Sequence, residues 1–332
     1  MKRWNRFETF CKRQLSRSPR LKSAASAVRR RLAPAWRRGL AAAHWDDRVA
    51  DVESDQPQGW LDLEMIEEEY IRPRISGDPA VPYLQHFFDR HVPNRPVDRL
   101  LSLGCGGGNL ERALVDMGIA QRIDAYDESP GSIELARRMA DEAGLSDRIR
   151  YGVADANVHE LEAGVYDVVV IKAALHHFEN LEHVYAQVHR SLKPGGLLMF
   201  NEFVGPSRFQ WTDLQLDLMN RLLGALPESI RKQAPVIEIR RPLVADMIAL
   251  DPSESVRSAE ILPLLERDFE VLELKPYGGA LLHILLSHVL PLMDLEDENH
   301  RSILRLLMLY EGTLVDHGVL PSDFAYAVAR PR

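Results

Sequence analysis

Two adjacent histidines, His176 and His177, and the acid Glu202 are the side chains of this chain best suited to proton transfer near neutral pH. Imidazole titrates close to neutrality, so a histidine turned into a crevice can take a proton from an alcohol. One of a consecutive pair faces inward while the other caps or packs; His177 is the preferred base and His176 the next. Glu202 would orient an acceptor or act as the base itself, against the alternative of a solvated acid at a strand end. A metal reading of His176, His177, Glu179 and His183 fits no standard ligand spacing, so no metal is expected.

The second chemical signature is Leu100-Leu-Ser-Leu-Gly-Cys-Gly-Gly-Gly-Asn109, followed by Tyr126-Asp-Glu-Ser129. It reads as a strand, a glycine turn, a helix start and a second strand ending in an acid. Gly104, Gly106 and Gly108 let the backbone turn tightly and approach a ligand that a Cβ would push away. Asp127, at the tip of the second strand, can accept from both hydroxyls of a ribose. The pattern is G-x-G-x-G, with Asn109 where a dinucleotide fingerprint has its third glycine, which disfavours a nicotinamide-dependent Rossmann enzyme. No Gly-Lys-Ser/Thr follows, so the Walker pattern fails as well.

Elements that would position these groups alternate regularly. Strands are expected over 97–103, 122–126, 149–153, 166–171 and 197–202, with helices between them at 109–117, after Ser129-Pro130, and along Leu181, Val184, Tyr185 and Val188. Ser129 is an N-cap with Pro130 at the first helical position. The β-branched run after Tyr166 marks a strand covered on both faces. Five such alternations imply an α/β fold with a doubly wound, mostly parallel sheet. Residues 205–268 and 280–318 read as helical insertions, separated by a strand over 269–274 and followed by one over 324–328. The expected organisation is a basic arm (1–43), a helical segment (44–96), a core (97–204), and cap insertions with the last strands (205–332).

These motifs together resemble the class I S-adenosylmethionine (SAM)-dependent methyltransferases, and the resemblance covers about residues 97–204. Leu101-Ser-Leu-Gly-Cys-Gly-Gly-Gly108 resembles the first motif and Ala125-Tyr-Asp-Glu-Ser129 the second. Ala154-Asp-Ala156 resembles the third; Tyr166–Phe178 resembles the fourth strand with its loop; Leu192-Lys-Pro-Gly-Gly-Leu197 resembles the turn before strand five. The resemblance implies a seven-stranded Rossmann-like sheet, SAM as cofactor, and methyl transfer to a small-molecule or glycan acceptor at oxygen. It implies cofactor contacts from Gly104, Cys105, Gly106, Gly108, Asp127, Glu128, Asp155, Ala156 and Lys172. One departure stands out: the family often has an acid two residues before the first glycine, and this chain has Ser102. Arg74 is therefore expected to meet the carboxylate of the cofactor's amino-acid end. Trp211, Tyr277 and His283 are the expected acceptor contacts, and Asp251–Arg257 a further polar cluster in the cap. The Ser102 departure also keeps open a non-catalytic protein that retains the fold.

Composition bounds the partners. The arm 1–40 holds thirteen Lys/Arg against one acid, a net +12, so the rest carries −20 of the overall −8. An acidic body lacks the clustered cations that nucleic acid requires. For the arm three readings stand: a basic tail, a helix lying on an anionic membrane as a peripheral contact, or a transit peptide. Two cysteines, Cys11 and Cys105, make no disulfide framework, and a cytoplasmic location is expected.

Overall fold

The computed structural model describes residues 60–332, so the arm and the start of the helical segment lie outside the described residues. Its centre is a seven-stranded sheet of order β3-β2-β1-β4-β5-β7-β6. The strands are β1 Val97–Leu103, β2 Ala120–Asp127, β3 Ile149–Val153, β4 Tyr166–Lys172, β5 Leu192–Phe203, β6 Phe269–Gly278 and β7 Phe324–Pro331. β1 to β5 pair in parallel, and β7 runs antiparallel to both β5 and β6.

β4 shows why the sheet must be covered twice. Val168 and Val170 face one apolar core, while Val169 and Ile171 face a second core on the opposite side. Side chains alternate across a strand, so four consecutive buried β-branched residues need cover on both faces. On the first face lie helices Asn109–Asp116 and Pro130–Glu142; on the second lie Leu181–Ser191 and Ile261–Asp268. Ser129 caps its helix by accepting from the Ser132 N–H, as the Ser-Pro pair predicts.

Two boundaries differ from the sequence reading. The turn 193–196 bulges out between Leu192 and Leu197, and both flanking residues pair with β4. β6 runs on to Gly278, well beyond its expected end. The apolar alternation weakens after Leu274, but pairing with β7 continues through Pro276 and Gly278.

The helical insertions are tied to the segment that precedes the sheet. Glu311, on helix Glu298–Asp316, is fully buried and accepts from the N–H groups of Gly279, Leu281 and Leu282 at 2.6–2.7 Å. It thereby satisfies the open N-terminus of helix Leu282–Val289, where a carboxylate also meets the positive end of the helix dipole. The Tyr70 hydroxyl donates to the same carboxylate at 2.9 Å. Removing Glu311 strands these donors in the interior, each costing about 1–3 kcal/mol. Glu311→Ala should lower unfolding stability by at least about 3 kcal/mol in denaturant titration; a loss below about 1 kcal/mol would refute this account of the joint.

Candidate active site

The carboxyl ends of β1, β2, β4 and β5 converge on one edge, and the expected site residues divide there into two groups. Around β1 and β2, the glycine turn is held by its own carboxylate. Asp127 Oδ2 accepts from the Gly106 N–H at 2.9 Å and Oδ1 from the Ser129 N–H at 2.9 Å. The acid thus bridges the turn after β1 to the start of the helix after β2. Gly104 lies against Ala174, where an added Cβ would sit 2.3 Å from the alanine Cβ. Gly106, at φ +50°, faces open space instead. Backbone close to the acid with room above it is a cradle that a nucleoside fits.

Other predicted cofactor residues surround this cradle. Glu128 follows Asp127 in the turn and is half-buried. Asp155 accepts from the backbone and side-chain N–H groups of Asn157 through Oδ1, which shapes the loop after β3, and Ala156 is half-buried beside it. Lys172 ends β4. Burial pushes the Cys105 thiol well above its usual range, so it is a small turn residue rather than a nucleophile.

The second group lies beyond β4 and β5. His176 Nδ1 contacts Glu202 Oε1, and its Nε2 lies 3.8 Å from Glu254. Burial disfavours the imidazolium, but the Glu202 carboxylate outweighs it and raises the His176 pKa to about 9. His177 Nδ1 lies 3.2 Å from the Ser253 hydroxyl and 3.9 Å from Asp251. Burial and the neighbouring His176 charge push His177 down to about 4. The adjacent rings therefore hold opposite protonation states at pH 7, one cationic and one neutral. His283 joins them in sharing the field of Glu254, and burial lowers it to about 4. Its ring stands 5.6, 5.6 and 5.1 Å from those of Phe203, Phe209 and Phe324, so an aromatic wall adjoins the imidazoles. One ligand-capable atom each from His176, His177 and Glu254 falls within 4.8 Å of the others. The imidazolium already supplies positive charge between Glu202 and Glu254.

Four expectations are corrected. Glu202 is not placed as a base: it is 1% exposed, and it accepts from the N–H groups of Ala174, Leu175 and Phe203 as well as meeting His176. A carboxylate so fully engaged positions the loop and the imidazole. Arg74 does not face the crevice. It pairs with Asp316 through two bonds of 2.8 and 3.0 Å and lies over the Tyr70 ring, on the β6 side of the sheet, so its guanidinium is engaged there. Trp211 is 3% exposed, donates its indole N–H to Asp323 and stacks on Phe209, so it anchors the cap rather than meeting an acceptor. Tyr277 is likewise enclosed, with its hydroxyl donated to Asn201 at 2.5 Å.

Sequence reasoning missed Glu254 as an individual and the residue that holds it. Arg208 donates to the carbonyls of Glu254 and Pro252, binding the cap loop to the segment after β5. The only signal was the polar cluster 251–257, which has no periodicity. The depression lined by His91, Val97, Asp167 and Lys193 lies at the opposite, amino ends of the strands.

A parallel sheet with an antiparallel seventh strand between β5 and β6, and a glycine-acid crevice at the carboxyl edge, defines a Rossmann-like nucleoside-binding fold. Residues 101–200 match the model of the methyltransferase domain family. It is 35% identical over 157 residues to a ubiquinone biosynthesis O-methyltransferase of Methylocella silvestris, covering 46% of this chain and 59% of the relative. It is 28% identical over 171 residues to the 27-O-demethylrifamycin SV methyltransferase of Amycolatopsis mediterranei, covering 51% of this chain and 53% of that one. The chain thus spans little more than half the length of these relatives. The solved geranyl diphosphate C-methyltransferase from Streptomyces coelicolor shares the fold, with a TM-score of 0.50 at 14% identity, over 90% of this chain and 98% of that one. No helix among the described residues is long and apolar enough to cross a membrane.

The imidazolium of His176 has a consequence for stability. Its folded pKa, about 9, lies above the ordinary 6.5, so its contribution is complete below about pH 6.5 and is lost as pH rises through about 9. Calorimetric Tm should fall between about pH 7 and pH 9.5 more in the wild type than in His176→Asn. Parallel curves would contradict the assignment.

Proposed function

We propose that this protein is a SAM-dependent methyltransferase that transfers a methyl group to a hydroxyl of a small-molecule acceptor. The observation that carries the reading is Asp127, set between the glycine turn and the next helix with open space above Gly106. The bound cofactor would supply an electrophilic methyl on a sulfonium with a neutral leaving group. The protein's own work is then to hold the acceptor in line and to receive its proton.

In this reading Asp127 grips the ribose, while Asp155 and Ala156 face the adenine. His177, kept neutral by burial and by the His176 charge, accepts the acceptor's proton. His176 is locked in place by Glu202 and raises the local positive potential, which favours an alkoxide or phenoxide over the neutral alcohol. The rings of Phe203, Phe209 and Phe324 adjoin the imidazoles and suit an acceptor with an apolar or ring body, whether a free small molecule or a sugar unit of a glycan. The relatives named for O-methyl transfer support oxygen as the acceptor atom.

Asp127→Ala should weaken binding of S-adenosylhomocysteine in isothermal titration by about 1.5–3 kcal/mol per ribose bond lost. Equal affinity of variant and wild type would count decisively against the placement. His177→Gln should lower kcat by about 100-fold with little change in cofactor affinity. The wild-type acid limb should fall near pH 4, where His177 takes up its proton, rather than near the ordinary 6.5. An acid limb at 6.5, or full activity in the variant, would remove His177 from the role of base.

A further inference from the structure

The cap loop that carries Glu254 is fixed directly onto the histidine pair. The Val256 N–H donates to the His176 carbonyl at 3.0 Å, and Ser255, next to Glu254, takes φ +48°, a conformation that needs outside support. So held, the loop brings the Glu254 carboxyl to the imidazoles with its side chain 26% exposed. Oε1 accepts from the Ser255 hydroxyl at 2.8 Å and faces His176, whereas Oε2 accepts no hydrogen bond among the described residues. Burial opposes ionisation of this carboxyl, but the neighbouring histidines outweigh it and hold the group below its usual range. It is a carboxylate at neutral pH, with one oxygen open.

His283 is a second group that the chemistry above leaves idle. Its ring is half-buried and kept neutral by burial; neither nitrogen has a hydrogen-bond partner among the described residues, and Nδ1 alone is sealed from solvent. An N–H stranded at Nδ1, against the aromatic wall, is the costlier arrangement, which assigns the proton to Nε2. Nε2 is then an open donor that shares the field of Glu254.

One hydroxyl cannot serve all of these groups. It has a single proton, and in the reading above that proton passes to His177. An ionised carboxylate only accepts, so Glu254 requires a different donor. A cationic donor is not needed there, because the His176 imidazolium already stands 3.8 Å away. Ligand-capable atoms of His177 and Glu254 lie within 4.8 Å of each other, a gap that two oxygens on neighbouring carbons bridge.

We propose that the acceptor is a vicinal diol, in which one hydroxyl is methylated and its neighbour is held by Glu254 and His283. The neighbour donates to Glu254 Oε2 and accepts from the His283 Nε2–H, so both of its roles are filled. The reacting oxygen forms its bond to the methyl carbon as the methyl–sulfur bond breaks, and its proton goes to His177. This inference rests on the methyltransferase reading and names the acceptor class for it.

Matched probes test it, each titrated into protein saturated with S-adenosylhomocysteine: catechol against phenol, and cis-1,2-cyclohexanediol against cyclohexanol. In at least one pair the diol should bind about tenfold more tightly, the worth of a hydrogen bond to a charged group. Resorcinol and 1,4-cyclohexanediol, whose hydroxyls are not adjacent, should match the mono-alcohols. Glu254→Ala and His283→Phe should each bring the favoured diol to within about twofold of its mono-alcohol. Unchanged affinity of both variants for the mono-alcohol and for S-adenosylhomocysteine shows that the pocket is folded. No diol preference in either pair, a spaced diol that binds as tightly as the vicinal one, or a preference that survives both substitutions would overturn the assignment. So would variants that weaken diol and mono-alcohol equally. Wild-type protein that does not bind S-adenosylhomocysteine would overturn the methyltransferase reading itself, an outcome separate from a failure of the diol site.

Discussion

Glu202 joins two strand tips into one rigid piece. Its carboxylate collects the N–H groups of Ala174 and Leu175 from the loop after β4, that of Phe203 from the end of β5, and one nitrogen of His176. Ala173, in the same loop, takes φ +50°, a conformation rarely held without outside support. With the loop clamped, Ala174 packs against Gly104 and so registers the β4 tip to the glycine turn. The distance between the cofactor cradle and the histidines therefore depends on a single buried acid that need not touch either ligand.

Buried carboxylates recur in this fold, and the partners of each define its use. Glu311 meets only backbone N–H groups and a phenol, and it closes a helix end against the preceding segment. Asp323 accepts from Trp211 and Gln215, which fixes the cap to the base of β7; burial raises its carboxyl to about 7. Asp127 meets two N–H groups and bridges two elements at the crevice.

The histidine pair shows how one environment separates two identical side chains. Both rings are largely enclosed, with centroids 4.1 Å apart, so they cannot both be charged at little cost. Direct contact with Glu202 stabilises the charge on His176, and that charge then helps to keep His177 neutral. A proton acceptor beside a fixed cation is suited to taking a proton from a hydroxyl whose developing anion needs stabilising.

Much of this architecture was legible in the residues. The strand from Val97 to Leu103, the Ser129-Pro130 cap and the double-faced run of β4 follow from side-chain periodicity and turn chemistry, which act over a few residues. Asp127 was legible because glycine spacing and the next strand end place it at the crevice. Arg74 and Trp211 were misread because their partners, Asp316 and Asp323, lie more than a hundred residues away, and nothing local announces a long-range ion pair or an indole hydrogen bond. For the same reason Glu254 and Arg208 stayed hidden inside a loop without periodicity. The sequence by itself determined the sheet, its glycine turn and the acid at its edge, since each rests on local pattern. Only the tertiary structure decided which histidine carries the proton and which acids clamp, because charge and burial are properties of what is packed around a side chain.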